Sequence, residues 1–449
     1  MTTICRFAPS PTGFLHVGNI RAAIINFLYA KKTGGKFMLR FDDTDIERVR
    51  EEYCEMIPQD MAWLGLSYDM FVKESDRLAQ YEAAKNLLIK SGRLYECYES
   101  AAELNLQRKA QVASGMTPIY NRAALNLTAE QKEGLRAQGL KPHYRFLLEE
   151  KIVAWDDKIK GRITYGGRHF SDPVLVRDNN VPTYTFCSVV DDIELGVTDI
   201  IRGEDHITNT AIQIQIFEAL IAAGLSGIVP HFAHLALVKA MEGKISKREG
   251  GFDVKTLRNQ GFEPFAVVSL LAQIGTSEPI KIYKNFDELV ANFDFSKFSK
   301  SSTNYDLGEL ETINQKLLQI LDFNDIKAHL QKLELSEIDE EFWRVMKLNI
   351  SLLPEIKKWW DICKKPFHFN HEEKNQEFLK VIASLLPQDT SDKECWNKWL
   401  AEIKKNTDRK GKDLFMPIRL ALSGEEHGPE IKFLVNAIDR EEILRRLTY

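Results

Sequence analysis

The sequence of 449 residues lacks any close pair of cysteines: Cys5, Cys54, Cys97, Cys187, Cys363 and Cys395 form neither CxxC nor CxC. That spacing argues against a zinc ribbon or knuckle and against a disulfide scaffold. Reduced thiols and a cytoplasmic location are expected. No apolar run of about eighteen residues is present, so no membrane span is expected. Met1 to Ser10 carries Arg6 and Pro9 and has no apolar stretch of signal-peptide length. A large excess of charge is missing too. Lys plus Arg number 60 and Asp plus Glu 65, a formal net charge of −5. A wholly basic packaging protein is thereby excluded, whereas a nucleic-acid enzyme with local basic patches is not. Internal repeats are absent. With 44% hydrophobic and 28% charged residues the composition is that of a globular protein, long enough for about three domains.

Along the chain, Thr3 to Ala8 reads as a strand, ended by the Pro9-Ser10-Pro11-Thr12-Gly13 loop. A helix over Gly18 to Lys32 follows, with Ile20, Ile24, Phe27 and Leu28 at helical spacing and Gly34-Gly35 as its stop. Lys36 to Phe41 reads as a second strand, running into the acidic Asp42-Asp43-Thr44-Asp45. Helical patterns then cover about Glu51 to Leu64, with Pro58 as an early interruption, and Ser75 to Lys90. Strand, Pro/Gly loop, helix, strand, helix is the beginning of a parallel βαβ sheet. From Leu94 to Asp192 the pattern changes to a polar helix at Ala101 to Ala113 and short strand-like pieces at Tyr144–Leu148, Ile152–Trp155, Ile163–Tyr165 and Val174–Val176. This stretch reads as an insertion between two halves of the sheet. A strand at Thr198 to Arg202, a helix from Ala211 to Ala223 capped by Asn209 or Thr210, and a strand at His234 to Val238 resume it. From about Asp306 only helical periodicity remains, with basic residues gathered at Lys404, Lys405, Arg409, Lys410 and Lys412.

Two segments carry chemistry. Pro9 to Asn19 lies between a strand and a helix N-terminus, where unpaired N–H groups and the helix dipole suit a phosphate. Gly18 permits close backbone approach, and His16 can donate to phosphoryl oxygens. Lys244-Ile245-Ser246-Lys247-Arg248, flanked by Gly243, Gly250 and Gly251, can fold cations over a triphosphate. Alone, the first is equally a proline-rich loop with a capping histidine, and the second a solvated basic loop.

Together, His16-Val17-Gly18-Asn19 and Lys244 to Arg248 resemble the two signatures of the class I aminoacyl-tRNA synthetases, His-Ile-Gly-His and Lys-Met-Ser-Lys-Ser. Longer strings narrow the likeness. Arg6 to Gly13, Arg40 to Asp45, Val189 to Asp192, Ile201 to His206, Gly411 to Arg419 and His427-Gly428-Pro429 are similar to the bacterial glutamyl-tRNA synthetase family over nearly the whole chain.

The resemblance implies an α/β, Rossmann-type doubly wound parallel sheet split by an α+β insertion and followed by an all-α anticodon-binding region. The implied division is 1–93 with 193–240 for the catalytic sheet, 94–192 for an acceptor-stem insertion, 241–305 for a stem-contact region with the second loop, and 306–449 for the helices. It implies activation of L-glutamate by ATP with Mg²⁺ and transfer to tRNA-Glu, with tRNA-Gln a further possible acceptor, by a monomer. His16, Lys244 and Lys247 are the implied catalytic groups, with Gly18, Asn19 and Asp205 also at ATP. Arg6, Ala8, Ser10, Asp42, Tyr184, Ser188 and Arg202 are implied at glutamate. Two carboxylates and one ammonium call for at least two cations and one anion, which Arg6, Arg202 and Asp42 supply.

Four departures stand out. Asn19 replaces the second histidine of the first signature. Asp42 is a methylene shorter than the family glutamate, and Ser188 replaces the family asparagine. Many relatives hold zinc in the insertion through a CxC pair and a later Cys-x-His. Here Glu99 follows Cys97, and Ile119 to Ala124 offers neither ligand, so no zinc is expected. His231 and His234 read as structural, as do Asp43 and Asp45, and Trp359-Trp360 as helix packing. A glutaminyl enzyme fits the Pro-Ser-Pro-Thr-Gly string less well. A relative that glutamylates a modified base lacks the helical tail, as would a small-molecule nucleotidyltransferase. A non-catalytic tRNA-binding paralogue would not need His16, Gly18, Lys244 and Lys247 together.

Overall fold

The computed structural model describes residues 2–45, 47–166, 170–240 and 253–448. Its centre is a five-stranded, all-parallel sheet. The chain enters through β1 (Ile4–Phe7), α1 (Val17–Lys32), β2 (Lys36–Phe41), α2 (Glu51–Trp63), β3 (Met70–Lys73) and α3 (Leu78–Lys90). It leaves for an insertion made of β4 (Leu94–Cys97), α4 (Ala101–Ala113), α5 (Ala129–Ala137), β5 (His143–Phe146), β6 (Ile152–Asp157), β7 (Gly161–Gly166) and β8 (Val174–Val176). It returns through α6 (Tyr184–Glu194), β9 (Asp199–Gly203), α7 (Ile207–Ala222) and β10 (His231–Leu235).

The strand order is β10-β9-β1-β2-β3. The first half therefore winds outward from β1 in one direction and the second half from β9 in the other. This order reverses between β1 and β9, the topological switch point, and the crevice beyond their carboxyl ends is where open α/β sheets bind ligands. Both strands are buried along nearly their whole length, as parallel strands covered on both faces must be. The doubly wound fold expected of the sequence is the one observed.

In the insertion, β4, β5 and β8 form an antiparallel sheet and β6 and β7 a hairpin. Ser100 and Thr128 start α4 and α5 with reciprocal capping boxes to Glu103 and Gln131. Beyond β10 come β11 (Val238–Ala240), α8 (Val254–Gln260), α9 (Pro264–Gln273), α10 (Phe286–Asn292) and β12 (Thr303–Tyr305), with β11 and β12 paired in parallel.

Some local expectations shift. α7 begins at Ile207, not Ala211, entered through a 3₁₀ turn at Glu204–His206. Thr210 is not a cap, because its hydroxyl lies inside the helix and donates back to the His206 carbonyl. The strand expected at His234 to Val238 is divided between β10 and β11, which lie in different sheets. α2 runs through Pro58 without a break.

The chain forms two compact units. One comprises residues 1–258 and 267–307, the other 259–266 and 308–449. The second is all-helical: α11 (Leu307–Ile320) starts at its edge, followed by α12 (Phe323–Lys332), α13 (Glu340–Met346), α14 (Ile356–Lys364), α15 (Glu373–Ser384), α16 (Cys395–Asn406), α17 (Lys412–Ser423), α18 (Ile431–Ala437) and α19 (Arg440–Thr448). Trp343, Trp359 and Trp399 are buried in its core. Trp360 packs on the same core, edge-on to Phe342, so the tryptophan pair is helix packing as expected. Among the described residues no helix is long and apolar enough to cross a membrane.

Candidate active site

At the switch point a cavity of about 270 Å³ opens. The end of β1 brings Arg6 and Ala8 to it, and the loop into α1 brings His16, Gly18 and Asn19. Arg202, Gly203 and Asp205 come from the end of β9, and Tyr184 from the first turn of α6. Eight of the residues named from the sequence therefore meet in one place: Arg6, Ala8, His16, Gly18, Asn19, Tyr184, Arg202 and Asp205. A wider depression of about 960 Å³ lies in the insertion beside α5, but none of those eight residues lines it.

His16 is the N-cap of α1. Its backbone is extended, and its Nδ1 accepts from the backbone N–H of Gly18 (3.1 Å) and Asn19 (3.3 Å). With Nδ1 an acceptor, the ring proton sits on Nε2, and burial holds the imidazole's pKa below its ordinary value. His16 is thus a neutral Nε2–H donor polarised by the helix end behind it. The N–H groups at 18 and 19 that the sequence offered to a phosphate are taken by this ring. Gly18 is needed for the cap, since a Cβ there would meet the imidazole at 2.9 Å. Gly203 has a similar reason: a Cβ would lie 2.3 Å from Asp205 Oδ1.

Arg6 is buried and donates to Asp192 of α6, with Nε 3.2 Å from Oδ1. Asp192 also accepts from Arg40 Nη1 at 2.8 Å, and Arg40 Nε donates to Asp42 Oδ1 at 2.8 Å. Asp191 accepts from Arg77 and Tyr81. Burial pushes Glu74, enclosed beside this cluster, well above the ordinary carboxyl range. Arg202, also buried, donates to Thr210 Oγ1 (2.7 Å), Gln213 Oε1 (2.6 Å) and the Tyr184 hydroxyl (3.4 Å).

Three residues named from the sequence do not line the cavity. Asp42 is turned onto Arg40 and is 5% exposed. Ser188 is buried and its Oγ accepts from Gln213 Nε2 at 2.8 Å. Ser10 lies exposed on the loop. Lys244 and Lys247 lie outside the described residues. Sequence reasoning missed His206, which lines the cavity and is held neutral by burial and by Arg202. It also missed Asp192, Arg40, Thr210 and Gln213, the groups that hold the two arginines.

In the insertion, the premise that Cys97 stands alone is corrected. The β4–β5 register sets His143 opposite Cys97, and donor atoms of Cys97, Glu99 and His143 lie within 4.8 Å of one another. Glu99 Oε2 and His143 Nε2 are buried without a hydrogen-bond partner among the described residues. The set is still one ligand short of a closed tetrahedral zinc site. Tyr120, beside the set, donates to Glu99 Oε1 at 2.6 Å. The buried Arg145 guanidinium stacks 4.3 Å from the Tyr120 ring centroid, where it repels a dication. Burial pushes the Cys97 thiol up to about 12. All six cysteines are free.

Comparison with known proteins places the chain in a family. Residues 2–314 match the family model described as tRNA synthetases class I (E and Q), catalytic domain, and residues 325–449 match that of the anticodon binding domain. The chain is 49% identical over 446 residues to Glutamate–tRNA ligase 2 of Rickettsia canadensis and 48% identical to Glutamate–tRNA ligase 1 of Rickettsia felis, covering 99% of each chain in both pairs. Among solved structures it is similar to a glutamate tRNA ligase from Elizabethkingia meningosepticum in complex with its amino acid. The TM-score is 0.86 at 25% identity, with 100% of this chain and 98% of that one covered.

Proposed function

The chain belongs to the class I tRNA synthetases of the glutamate and glutamine group and is a glutamate–tRNA ligase, and from that premise we propose how its own residues perform the reaction. The observation that carries the reading is the meeting of Arg6 and Arg202 with the His16 cap at the switch-point cavity. Two buried cations at adjacent strand ends fit a dicarboxylate, and the neutral donor beside them fits a phosphate.

In this reading the α-carboxylate of glutamate attacks the α-phosphorus of ATP in line, and pyrophosphate leaves. The terminal ribose hydroxyl of tRNA then attacks the mixed anhydride carbonyl and releases AMP. No protein nucleophile is required, so the chain's work is positioning and charge stabilisation. Arg6 and Arg202 hold the substrate carboxylates, with Tyr184 and Ala8 shaping the pocket. His16 Nε2–H donates to phosphoryl oxygen, Gly18 and Asn19 line the nucleotide side, and Asp205 lies at that end. Lys244 and Lys247 act on the departing pyrophosphate, and ATP would carry Mg²⁺ as its counter-ion. Asp42 meets the ammonium group, and Ser188 and Ser10 belong to the pocket's outer layer. The insertion takes the acceptor stem without structural zinc, the helical unit takes the anticodon, and the enzyme works as a cytoplasmic monomer.

Charging assays with purified tRNA-Glu and tRNA-Gln test the substrate assignment. Glutamate is expected on tRNA-Glu. Product on tRNA-Gln as well would make the enzyme non-discriminating, and product on neither would overturn the reading. Lys247→Ala should slow single-turnover adenylate formation by about a hundredfold, or about 3 kcal/mol, with glutamate affinity little changed. Unchanged activation would remove Lys247 from the mechanism.

A further inference from the structure

The cavity's two arginines are not equivalent in charge. Arg6 and its neighbour Arg40 are matched by Asp192 and Asp42. Arg202 forms no ion pair: its partners are the Thr210 hydroxyl, the Gln213 amide oxygen and the Tyr184 hydroxyl, no carboxylate among the described residues is within ion-pair distance, and the charge of Asp192, which reaches it from farther off, is already shared by Arg6 and Arg40. Its Nε is buried with no partner. The two acidic neighbours in sequence are oriented elsewhere. Glu204 accepts from Lys160 and from the Leu237 N–H, and Asp205 lies 3.6 Å from His206. A buried guanidinium lacking an anion is costly, and burial draws its pKa below the ordinary value. That cost is offset when an anionic ligand arrives.

Gln213 sits at the centre of this arrangement and is 2% exposed. Thr210 and Gln213 are three residues apart on α7, so both reach the same side, while Tyr184 and Ser188 stack one turn apart on α6. Arginine can only donate, so the Gln213 oxygen must face Arg202 and its NH₂ must face Ser188. Ser188, shorter than the asparagine that the family resemblance leads one to expect there, leaves room for that amide. Thr210 is itself held by His234 Nε2, and His234 Nδ1 by Asp157.

We propose that Gln213, locked by Ser188, is a positioning and specificity-determining residue: it aims the Arg202 guanidinium at the cavity and, being neutral, leaves that charge for the side-chain carboxylate of glutamate. This rests on the assignment of Arg202 to glutamate.

The test compares two variants of similar volume in tRNA charging, Gln213→Glu and Gln213→Met, with KM measured separately for glutamate and ATP, and melting temperature recorded. Gln213→Glu keeps the acceptor but supplies an anion that uses up the Arg202 charge. Gln213→Met removes the acceptor and leaves the charge. Glutamate KM should rise by at least tenfold in Gln213→Glu and by less in Gln213→Met, with ATP KM within about twofold in both. A purely structural role predicts the reverse order, with Gln213→Glu the milder change. That order, equal effects, or unchanged glutamate KM in both variants would overturn the proposal. Arg202→Ala run alongside separates the premises. If it leaves glutamate KM normal, the assignment of Arg202 fails. If it raises KM while the Gln213 variants do not follow the expected order, only the role of Gln213 fails.

Discussion

Arg202 ends a buried strand at the edge where ligands of such sheets bind, and its side chain faces the cavity. Arg202→Ala should therefore raise glutamate KM strongly, since truncating one partner of a buried charge pair costs about 2–5 kcal/mol. Arg202→Lys should restore only part, because lysine keeps the charge but loses the planar two-point contact. Were Arg202 merely bracing its loop through Glu204 or Asp205, the damage would appear as a lower melting temperature with normal KM. The positions of Glu204 and Asp205 speak against that bracing. At this scale the sequence was legible wherever a candidate group lies in a contiguous string at a strand end or a helix start, as with Arg6, His16, Gly18 and Arg202, which meet at the cavity. The groups that hold them were not. Asp192 lies 186 residues from Arg6 in sequence. Thr210 and Gln213 follow Arg202 by only 8 and 11 residues, yet nothing in local spacing says that an amide on α7 will face an arginine on β9.

Elements were legible in kind and less so at their ends. The periodicity of α1 and the composition of β2 gave ranges within a residue or so, because nothing tertiary competes there. α7 began earlier than the Asn209-Thr210 cap signal suggested, since Thr210 is engaged by Arg202 and His234. Pairing across strands was invisible, and the β4–β5 register that joins His143 to Cys97 is the clearest case. Metal analysis of the purified protein should give less than one zinc per chain. One tightly held zinc, lost together with activity on chelation, would show that Cys97, Glu99 and His143 suffice. In the helical unit, Glu442 of α19 accepts from Arg445 (2.7 Å), Arg446 (2.7 Å) and the Phe367 N–H (2.9 Å), which together hold its pKa down to about 2, from an ordinary 4.5. The folded chain thus binds fewer protons than the unfolded one between these values. The resulting stability is complete above about pH 4.5 and is lost as pH falls toward 2. Glu442→Gln should lower stability by about 1–3 kcal/mol near neutral pH, because the buried Arg446 loses a charged hydrogen-bond partner. Urea unfolding followed by tryptophan fluorescence should show the gap between wild type and variant narrowing below about pH 4.5 and closing only as pH approaches about 2. A gap independent of pH would mean that packing, not charge, is what the carboxylate contributes.

For the whole molecule the question is when the glutamate pocket is complete. In this structure the cation side is built, with Arg6 and Arg202 facing the cavity, but the anion that should receive the substrate ammonium is not presented. Asp42 is turned onto Arg40, buried, and absent from the cavity wall. Asp205, the one carboxylate among the described residues on the cavity wall, lies at the nucleotide end, so a dicarboxylate entering such a site leaves its ammonium without the partner proposed for it, and an unpaired charge in a partly dry cleft costs several kcal/mol. Productive binding therefore calls for a rearrangement, and the ligand that drives it must bind the rearranged state better than the resting one. The family resemblance points to tRNA as that ligand. ATP–pyrophosphate exchange should accordingly be negligible with glutamate and ATP alone and appear when tRNA-Glu is added. Rigorously RNA-free enzyme that exchanges pyrophosphate at full rate would contradict this and mean that Asp42 is not needed at the ammonium group. If tRNA is required, glutamate binding measured calorimetrically should tighten in its presence by the same factor by which glutamate tightens tRNA, since coupling between two bound ligands is reciprocal.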